Sequence, residues 1–132
     1  SIVVNMDIQL PTDSELEILQ VLWANGPCTV RFVNDTINQQ REVGYTSTLK
    51  TMQLMMDKGM VARTVEDRIH YYHASVSEAI TQKGLLDEFV HSTFRGSPST
   101  LVMRMLGDGE SSPEELQRIK SIIEAIEQNH NN

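Results

Sequence analysis

The stretch YTSTLKTMQLMMDKG, from Tyr45 to Gly59, predicts one helix with two different faces. Thr48, Met52, Met55 and Met56 recur at spacings of three and four residues, as in a helical stripe that faces a core. The remaining polar groups are short hydroxyls, an amide and a cation, which can reach phosphates and base edges at little desolvation cost. They are Thr46, Ser47, Lys50, Thr51 and Gln53. The stretch therefore predicts a helix that enters the major groove of DNA, and an ordinary solvated helix face is the alternative.

Two further helices are predicted before this one. The segment Thr12 to Glu15 has the form of a capping box, so a first helix is expected over about residues 13–24. Its buried stripe is predicted to comprise Leu16, Leu19, Leu22 and Trp23. A second helix is expected after Thr29 and as far as about Gln40, with Val30, Val33 and Ile37 on one face.

A β-hairpin is predicted after the third helix. Residues 60–65 and 69–74 are rich in β-branched and aromatic side chains, and Glu66-Asp67-Arg68 between them suits a turn. Three helices followed by a hairpin is the order of a winged helix-turn-helix, in which the hairpin is the wing. The predicted fold class is therefore mainly α, with a winged helix-turn-helix followed by a C-terminal helical dimerisation region. We expect the domains to span residues 10–76 and 77–132.

Three helices broken by Gly-containing loops are predicted in the C-terminal part, beginning near Ser77, Pro98 and Pro113. Each carries an apolar face, and three short helices cannot enclose much core by themselves. We expect these faces to pack against a second copy of the chain, although packing against the first domain is an open alternative. The candidate dimerisation residues are Leu86, Phe89, Val90, Leu101, Val102, Met105, Leu116, Ile119, Ile123 and Ile126.

Composition limits the class of protein. A chain of 132 residues with 39% hydrophobic content fits one domain, or a small domain with an appendage. No apolar run approaches the roughly 20 residues of a membrane span, and the start SIVVNMDIQL lacks the features of a signal peptide. Residues 1–5 are interpreted as either a leader or an added remnant. The single Cys28 excludes an intramolecular disulfide and a cysteine-rich zinc site, so a reducing cytoplasm fits best.

The charge pattern favours specific over indiscriminate DNA binding. The net charge is −7, whereas residues 41–63 carry four cations against two acids, a local excess of two. Arg41 before the third helix, and Arg63 and Arg68 in the hairpin, are candidate phosphate contacts, with ordinary surface charge as the alternative. Tyr45 either lies on the sugar-phosphate backbone or packs at the start of its helix.

The sequence gives little support for catalysis or for a cofactor. It contains no phosphate-binding glycine loop, no GxSxG, no HExxH and no Cys/His constellation. His70 and His73 are three residues apart on a predicted strand and therefore point to opposite faces, so no metal site is expected. Cys28 is expected to be a small buried residue rather than a nucleophile.

Several segments together resemble the penicillinase-repressor family of the BlaI/MecI type, to which CopY-type copper repressors also belong. They are ELEILQVLW (15–23), TVRFVNDTIN (29–38), YTSTLKTMQLMMDKGMV (45–61), the hairpin ending in HYYHA, and STLVMRML (99–106). The resemblance covers about residues 10–126, and the order and spacing of the segments carry it. Winged helices are numerous, so none of these segments is specific alone.

The resemblance implies a homodimeric transcriptional repressor whose winged helix binds a palindromic operator. It also implies that a sensor protease can end repression by cleavage in the short C-terminal helix, at a bond that matches Arg104–Met105 here. The best-known members carry Asn at the position of Arg104. The C-terminal part has no cysteine cluster, so the copper response of the CopY branch is not expected. A winged-helix module that binds another protein instead of DNA is the alternative function.

Overall fold

A computed structural model describes residues 9–131. The described chain contains six helices and one two-stranded antiparallel sheet, in the order predicted for a winged helix-turn-helix followed by helices. The elements are α1 (Asp13–Asn25), α2 (Val30–Asn38), α3 (Tyr45–Asp57), β1 (Val61–Glu66), β2 (Ile69–Ala74), α4 (Glu78–Phe94), α5 (Pro98–Gly107) and α6 (Pro113–Asn131). The predicted fold class, mainly α with a winged helix-turn-helix followed by C-terminal helices, is confirmed, and the dimerisation role of those helices stays a prediction. Residues 1–5, whose origin the sequence left open, lie outside the described residues.

Local hydrogen bonds explain where the first helices begin and end. The Thr12 amide donates to Glu15 Oε1 at 2.9 Å and the Glu15 amide donates to Thr12 Oγ1 at 3.3 Å, which confirms the predicted capping box. The Thr29 hydroxyl accepts a bond from the Phe32 amide at 3.1 Å and so caps α2. Gly59 follows α3 with a φ of 79°, the left-handed conformation expected of a helix stop.

The wing is a tight hairpin. Glu66 pairs with Ile69, so Asp67 and Arg68 alone form the turn, one residue shorter than the three predicted. Their φ angles are 52° and 68°, and two positive values are the mark of a type I′ turn, which matches the twist of the paired strands. The loop after α1 joins the wing at Cys28, whose amide donates to the Tyr72 carbonyl at 2.9 Å.

The core lies between the first three helices and the wing. Its largest fully buried side chains are Tyr72, Leu19, Met52, Met55 and Val33. The methionine-rich stripe of α3 therefore faces the core as predicted, with Met56 only partly buried at its edge. In α1 the predicted stripe is partly wrong: Leu16 and Trp23 are half-buried, while Ile18 and Val21 are buried. Trp23 is held near the surface because its indole Nε1 donates to the Val76 carbonyl at 3.1 Å.

The chain packs as two compact units, and the division falls between Leu86 and Asp87 within α4. The domain limit expected at residues 76/77 stays a prediction. In the second unit Val90 is buried, whereas α5 and α6 contain no buried residue. No helix in the described part of the chain is long and apolar enough to cross a membrane.

Candidate nucleic-acid interface

The outward face of α3 carries most of the polar residues singled out from the sequence. Thr46, Ser47, Lys50 and Gln53 are exposed, because Thr48, Met52 and Met55 turn the opposite side of the helix into the core. Thr51 is half-buried, and its hydroxyl donates to the Ser47 carbonyl at 3.0 Å. Thr51 therefore lies at the edge of this face, with its hydroxyl proton already used within the helix.

Leu54 is a residue of this face that the sequence reasoning missed. It lies four residues after Lys50, on the same side of α3, and is 49% exposed. A large apolar side chain on an otherwise polar surface can contact the methyl group of thymine in the major groove. The sequence could have indicated this, because Leu54 does not follow the three- and four-residue spacing of the buried side chains of α3 and therefore falls on its other side.

An amide network fixes α3 against α2. Asn34 is buried, and its Nδ2 donates to Thr48 Oγ1 at 2.8 Å and to the Val43 carbonyl at 3.1 Å. Asn38 holds the same loop, since its Nδ2 also donates to the Val43 carbonyl, at 2.8 Å, and its Oδ1 accepts from the Val43 amide at 3.2 Å. The start of α3 is thus positioned by two asparagines that periodicity alone did not identify.

An ion pair fixes the other end of α3. Lys58 Nζ lies 2.7 Å from Oε2 of Glu15, a carboxylate that is 5% exposed. Burial raises the pKa of Glu15, but the hydrogen bonds from Lys58 and Thr12 and the charge of Lys58 together outweigh it and lower the pKa below the usual 4.5. The capping residue of α1 is therefore also the carboxylate that holds the end of α3.

The three arginines predicted to touch phosphate have different surroundings. Arg63 and Arg68 are exposed in the wing, and neither forms an ion pair with any residue between 9 and 131. Arg63 also lies over the ring of Tyr72, with its Cζ 6.0 Å from the ring centroid. Arg41 instead binds Glu17 through Nη2 at 2.7 Å, and this hydrogen-bonded carboxylate raises the pKa of Arg41. A phosphate contact by Arg41 stays a prediction, and it requires exchange of Glu17 for the phosphate.

Arg31 of α2 is a further cation beside the start of α3, and the sequence did not predict a role for it. Its Cζ lies 4.3 Å from the centroid of the Tyr45 ring, so the guanidinium stacks on the first residue of α3. Tyr45 is 38% exposed and thus both starts the helix and supports a cation. In the sequence, the feature that could have identified Arg31 is its charge, since it lies between the apolar residues at the start of α2.

Among residues 9–131, Cys28 and the potential metal ligands form no metal site. Cys28 is buried as predicted, with its Sγ donating to the Gly26 carbonyl at 3.1 Å, and burial raises the pKa of its thiol. Within residues 9–131 no group of three or more His, Cys, Asp or Glu side chains could hold a metal ion.

The predicted dimerisation residues carry much exposed apolar surface. Leu86, Phe89, Val102, Met105, Leu116, Ile123 and Ile126 are each between 43% and 63% exposed. Leu101 and Ile119 are half-buried, and Val90 is buried at 7% exposure. The exposed ring of Phe89 stands edge-on to Phe94, with 5.6 Å between the centroids.

The chain is similar to known repressor proteins. The family model described as "Penicillinase repressor" matches residues 11–125. A penicillinase repressor of Bacillus licheniformis is 26% identical over 119 residues, which are 86% of this chain and 88% of the relative. The transcriptional regulator BlaI of Mycobacterium tuberculosis is 31% identical over 61 residues, 46% of this chain and 44% of the relative. A MarR family protein from Bacillus stearothermophilus shares the fold, with a TM-score of 0.54 and 17% identity over 99% of this chain and 81% of that one.

Proposed function

The chain belongs to the penicillinase-repressor family, and from that membership we propose that it represses transcription by binding a palindromic DNA operator as a homodimer. The observation that carries the proposal is the outward face of α3, where Lys50 and three neighbouring polar side chains are exposed while the opposite face is locked into the core. The chain would act on DNA in the cytoplasm, without a cofactor or insertion into a membrane.

Recognition divides between base contacts and phosphate contacts. The exposed face of α3 enters the major groove, where Lys50 and Gln53 can bind base edges. Arg63 and Arg68 of the wing neutralise DNA phosphates beside the major groove. Affinity therefore falls steeply as salt rises, since each neutralised phosphate releases counterions. The negative charge of the rest of the chain disfavours binding to unrelated DNA.

Dimerisation supplies the second half-site contact. The helices α5 and α6, with Phe89 of α4, carry several large apolar side chains that are exposed, and exposed apolar surface of this kind is typical of a protein–protein interface. A second copy of the same chain covers this surface on both partners at once, as two-fold symmetry requires. The two α3 helices then reach half-sites about 34–36 Å apart, or a multiple of that distance, on a palindromic operator.

Release of the operator can follow from damage to the dimer. Arg104 and Met105 are both exposed on α5, and Met105 is 63% exposed. A protease that cleaves the Arg104–Met105 bond would separate part of the apolar surface from the DNA-binding unit. A sensor protease is accordingly a proposed partner, and uncut protein is expected to bind DNA more tightly than cut protein.

Gel-shift titration tests DNA binding. The operator is first selected from a random duplex library, and binding is measured with and without excess unrelated DNA. Lys50→Ala is expected to weaken operator binding without a change in thermal unfolding. Arg118→Ala is the matched control, because Arg118 lies on the side of α6 away from Leu116 and Ile123. Normal operator binding by Lys50→Ala at physiological salt would show that α3 is assigned the wrong face.

Light scattering tests the dimer separately. The wild-type chain is expected to have the mass of two copies at micromolar concentration, and Ile123→Glu the mass of one. A chain that is monomeric and selects no duplex from the library would favour the alternative function, a winged-helix module that binds another protein.

A further inference from the structure

A groove opens between the wing and the N-terminal ends of α2 and α3. Residues that line it include Thr29, Arg31, Tyr45, Arg68, Ile69 and His70. Two arginines and a histidine, contributed by α2 and the wing, thus line one groove, and no carboxylate is among its described lining residues. This is unusual on a chain whose net charge is −7. We propose that this groove binds one backbone phosphate of the DNA duplex, held between Arg31 and Arg68, an inference that rests on the proposed function.

Arg31 is oriented to bind an anion. Its Cζ lies over the Tyr45 ring, 4.3 Å from the ring centroid, so the aromatic face supports the cation. Arg31 makes no hydrogen bond with another residue of the described chain, so its N–H groups remain available to bind phosphate oxygens. Neither Arg31 nor Arg68 forms an ion pair with another residue of the described chain. Tyr45 is therefore a positioning residue for Arg31.

Arg68 reaches the groove from the opposite side, at the cost of backbone strain. Its φ of 68° lies in the left-handed region that favours glycine, so the turn itself gives no reason for an arginine. Tyr45, the first residue of α3, forms one wall of the groove. Because the groove lies at the start of α3, we expect DNA bound along the exposed face of α3 to pass its sugar-phosphate backbone over the groove, which makes a duplex phosphate the expected ligand rather than a free ion.

The test uses the full chain and the variants Arg31→Gln, Arg68→Gln and their combination, with Arg118→Gln as the matched control for loss of one charge. Anisotropy titrations measure binding to the selected operator and to an unrelated duplex over a series of salt concentrations. Each single variant is expected to lose roughly tenfold in affinity on both duplexes, since a charge-assisted hydrogen bond to phosphate is lost. In the double variant the salt slope should decrease by about 0.9 for the phosphate no longer neutralised, and in each single variant by less, because the other arginine still binds that phosphate.

The shared phosphate gives a sharper expectation. Because both arginines bind one phosphate, the double variant should lose less affinity than the product of the two single losses. A series of duplexes, each with one neutral methylphosphonate linkage, should contain a linkage per half-site that weakens the wild type but not the double variant. Tyr45→Phe should bind as the wild type does, whereas Tyr45→Leu should reproduce part of the Arg31→Gln loss.

Several results would overturn the inference. If Arg31→Gln binds DNA with the same affinity and salt slope as the wild type, and the wild type binds DNA in a salt-dependent way, the phosphate site is refuted and the proposed function stays intact. A loss confined to the operator would indicate a base contact instead. Inorganic phosphate, titrated at constant ionic strength, is expected to compete with DNA no better than chloride does. If the wild type binds inorganic phosphate tightly and Arg31→Gln does not, while both bind DNA equally, the groove is a small-anion site instead. Failure of the wild type to bind any duplex would overturn both proposals.

Discussion

Replacement of Asn34 by Ala tests whether the position of α3 depends on the buried amide network. Asn34 is 5% exposed and donates from Nδ2 to Thr48 Oγ1 at 2.8 Å and to the Val43 carbonyl at 3.1 Å. Both bonds disappear in Asn34→Ala. The Val43 carbonyl keeps the bond from Asn38 Nδ2 at 2.8 Å, so it stays satisfied. The Thr48 hydroxyl, at 3% exposure, loses its donor from Asn34.

The expected magnitude follows from these partners. A net loss of about 0.5–1.5 kcal/mol for each of two hydrogen bonds gives about 1–3 kcal/mol, and the unpaired Thr48 hydroxyl and the space left by the amide place the result in the upper half of that range. Thr48→Val removes only the 2.8 Å bond and should cost about 1 kcal/mol. The double variant should cost about 1 kcal/mol less than the sum of the two single variants, because the shared bond is counted twice in that sum.

Equilibrium urea unfolding of the wild type, both single variants and the double variant measures these values. All four proteins are compared at one protomer concentration, since dimerisation would make apparent stability depend on concentration. Asn34→Ala should also weaken operator binding, because α3 would be less firmly held. A cost below about 0.5 kcal/mol for Asn34→Ala, or strict additivity in the cycle, would refute a positioning role for the network.

Four further outcomes are expected. Lys58→Met leaves the buried Glu15 carboxylate without its cation and should lower the free energy of unfolding by about 1–2 kcal/mol, after allowance for the partial exposure of Lys58. The pKa of Glu15 is lowered in the folded chain, so its stabilising contribution is complete above pH 4.5 and is lost as the pH falls through the lower folded value. The free energy of unfolding of the wild type should therefore fall more steeply below pH 4.5 than that of Glu15→Gln. Parallel plots of the free energy of unfolding against pH for the two proteins would contradict this. Arg68→Gly should raise the free energy of unfolding by about 0.5–1 kcal/mol, because the left-handed strain is relieved, and should weaken DNA binding. An increase in both stability and DNA affinity would show that Arg68 does not contact DNA. Leu54→Gln should weaken binding to an operator that contains thymine, and replacement of that thymine by uracil should weaken the wild type but not the variant, as gel-shift titration can show.

The elements of the fold were predictable because local patterns encode them. The Thr12–Glu15 capping box, the methionine stripe of α3 and the two strands of the wing all appear where the sequence predicts them. The errors lie at edges, where local patterns are weak: Leu16 is half-buried while Ile18 is buried. A stripe of leucines gives the helix its period but does not set the angle at which it meets its neighbours, which depends on the packing of three helices and the wing.

The interface was predictable only in part, for a similar reason. Lys50 and Gln53 could be assigned to an outward face because helical spacing fixes which side chains share a side. Arg31 could not be associated with Arg68, since 37 positions of chain separate them and only the packed fold brings both to one groove. The role of Asn34 was equally hidden, because its partners Thr48 and Val43 belong to other elements.

The sequence by itself thus determined the order of the elements, the buried side of α3 and the polar residues left on its surface, because these depend on spacing along one helix or strand. Tertiary structure alone decided that Glu15 would hold Lys58, that Arg41 would bind Glu17, and that Tyr45 would support Arg31. These pairs form between side chains on different elements. Their partners are chosen by distance in the folded chain, which no local pattern contains.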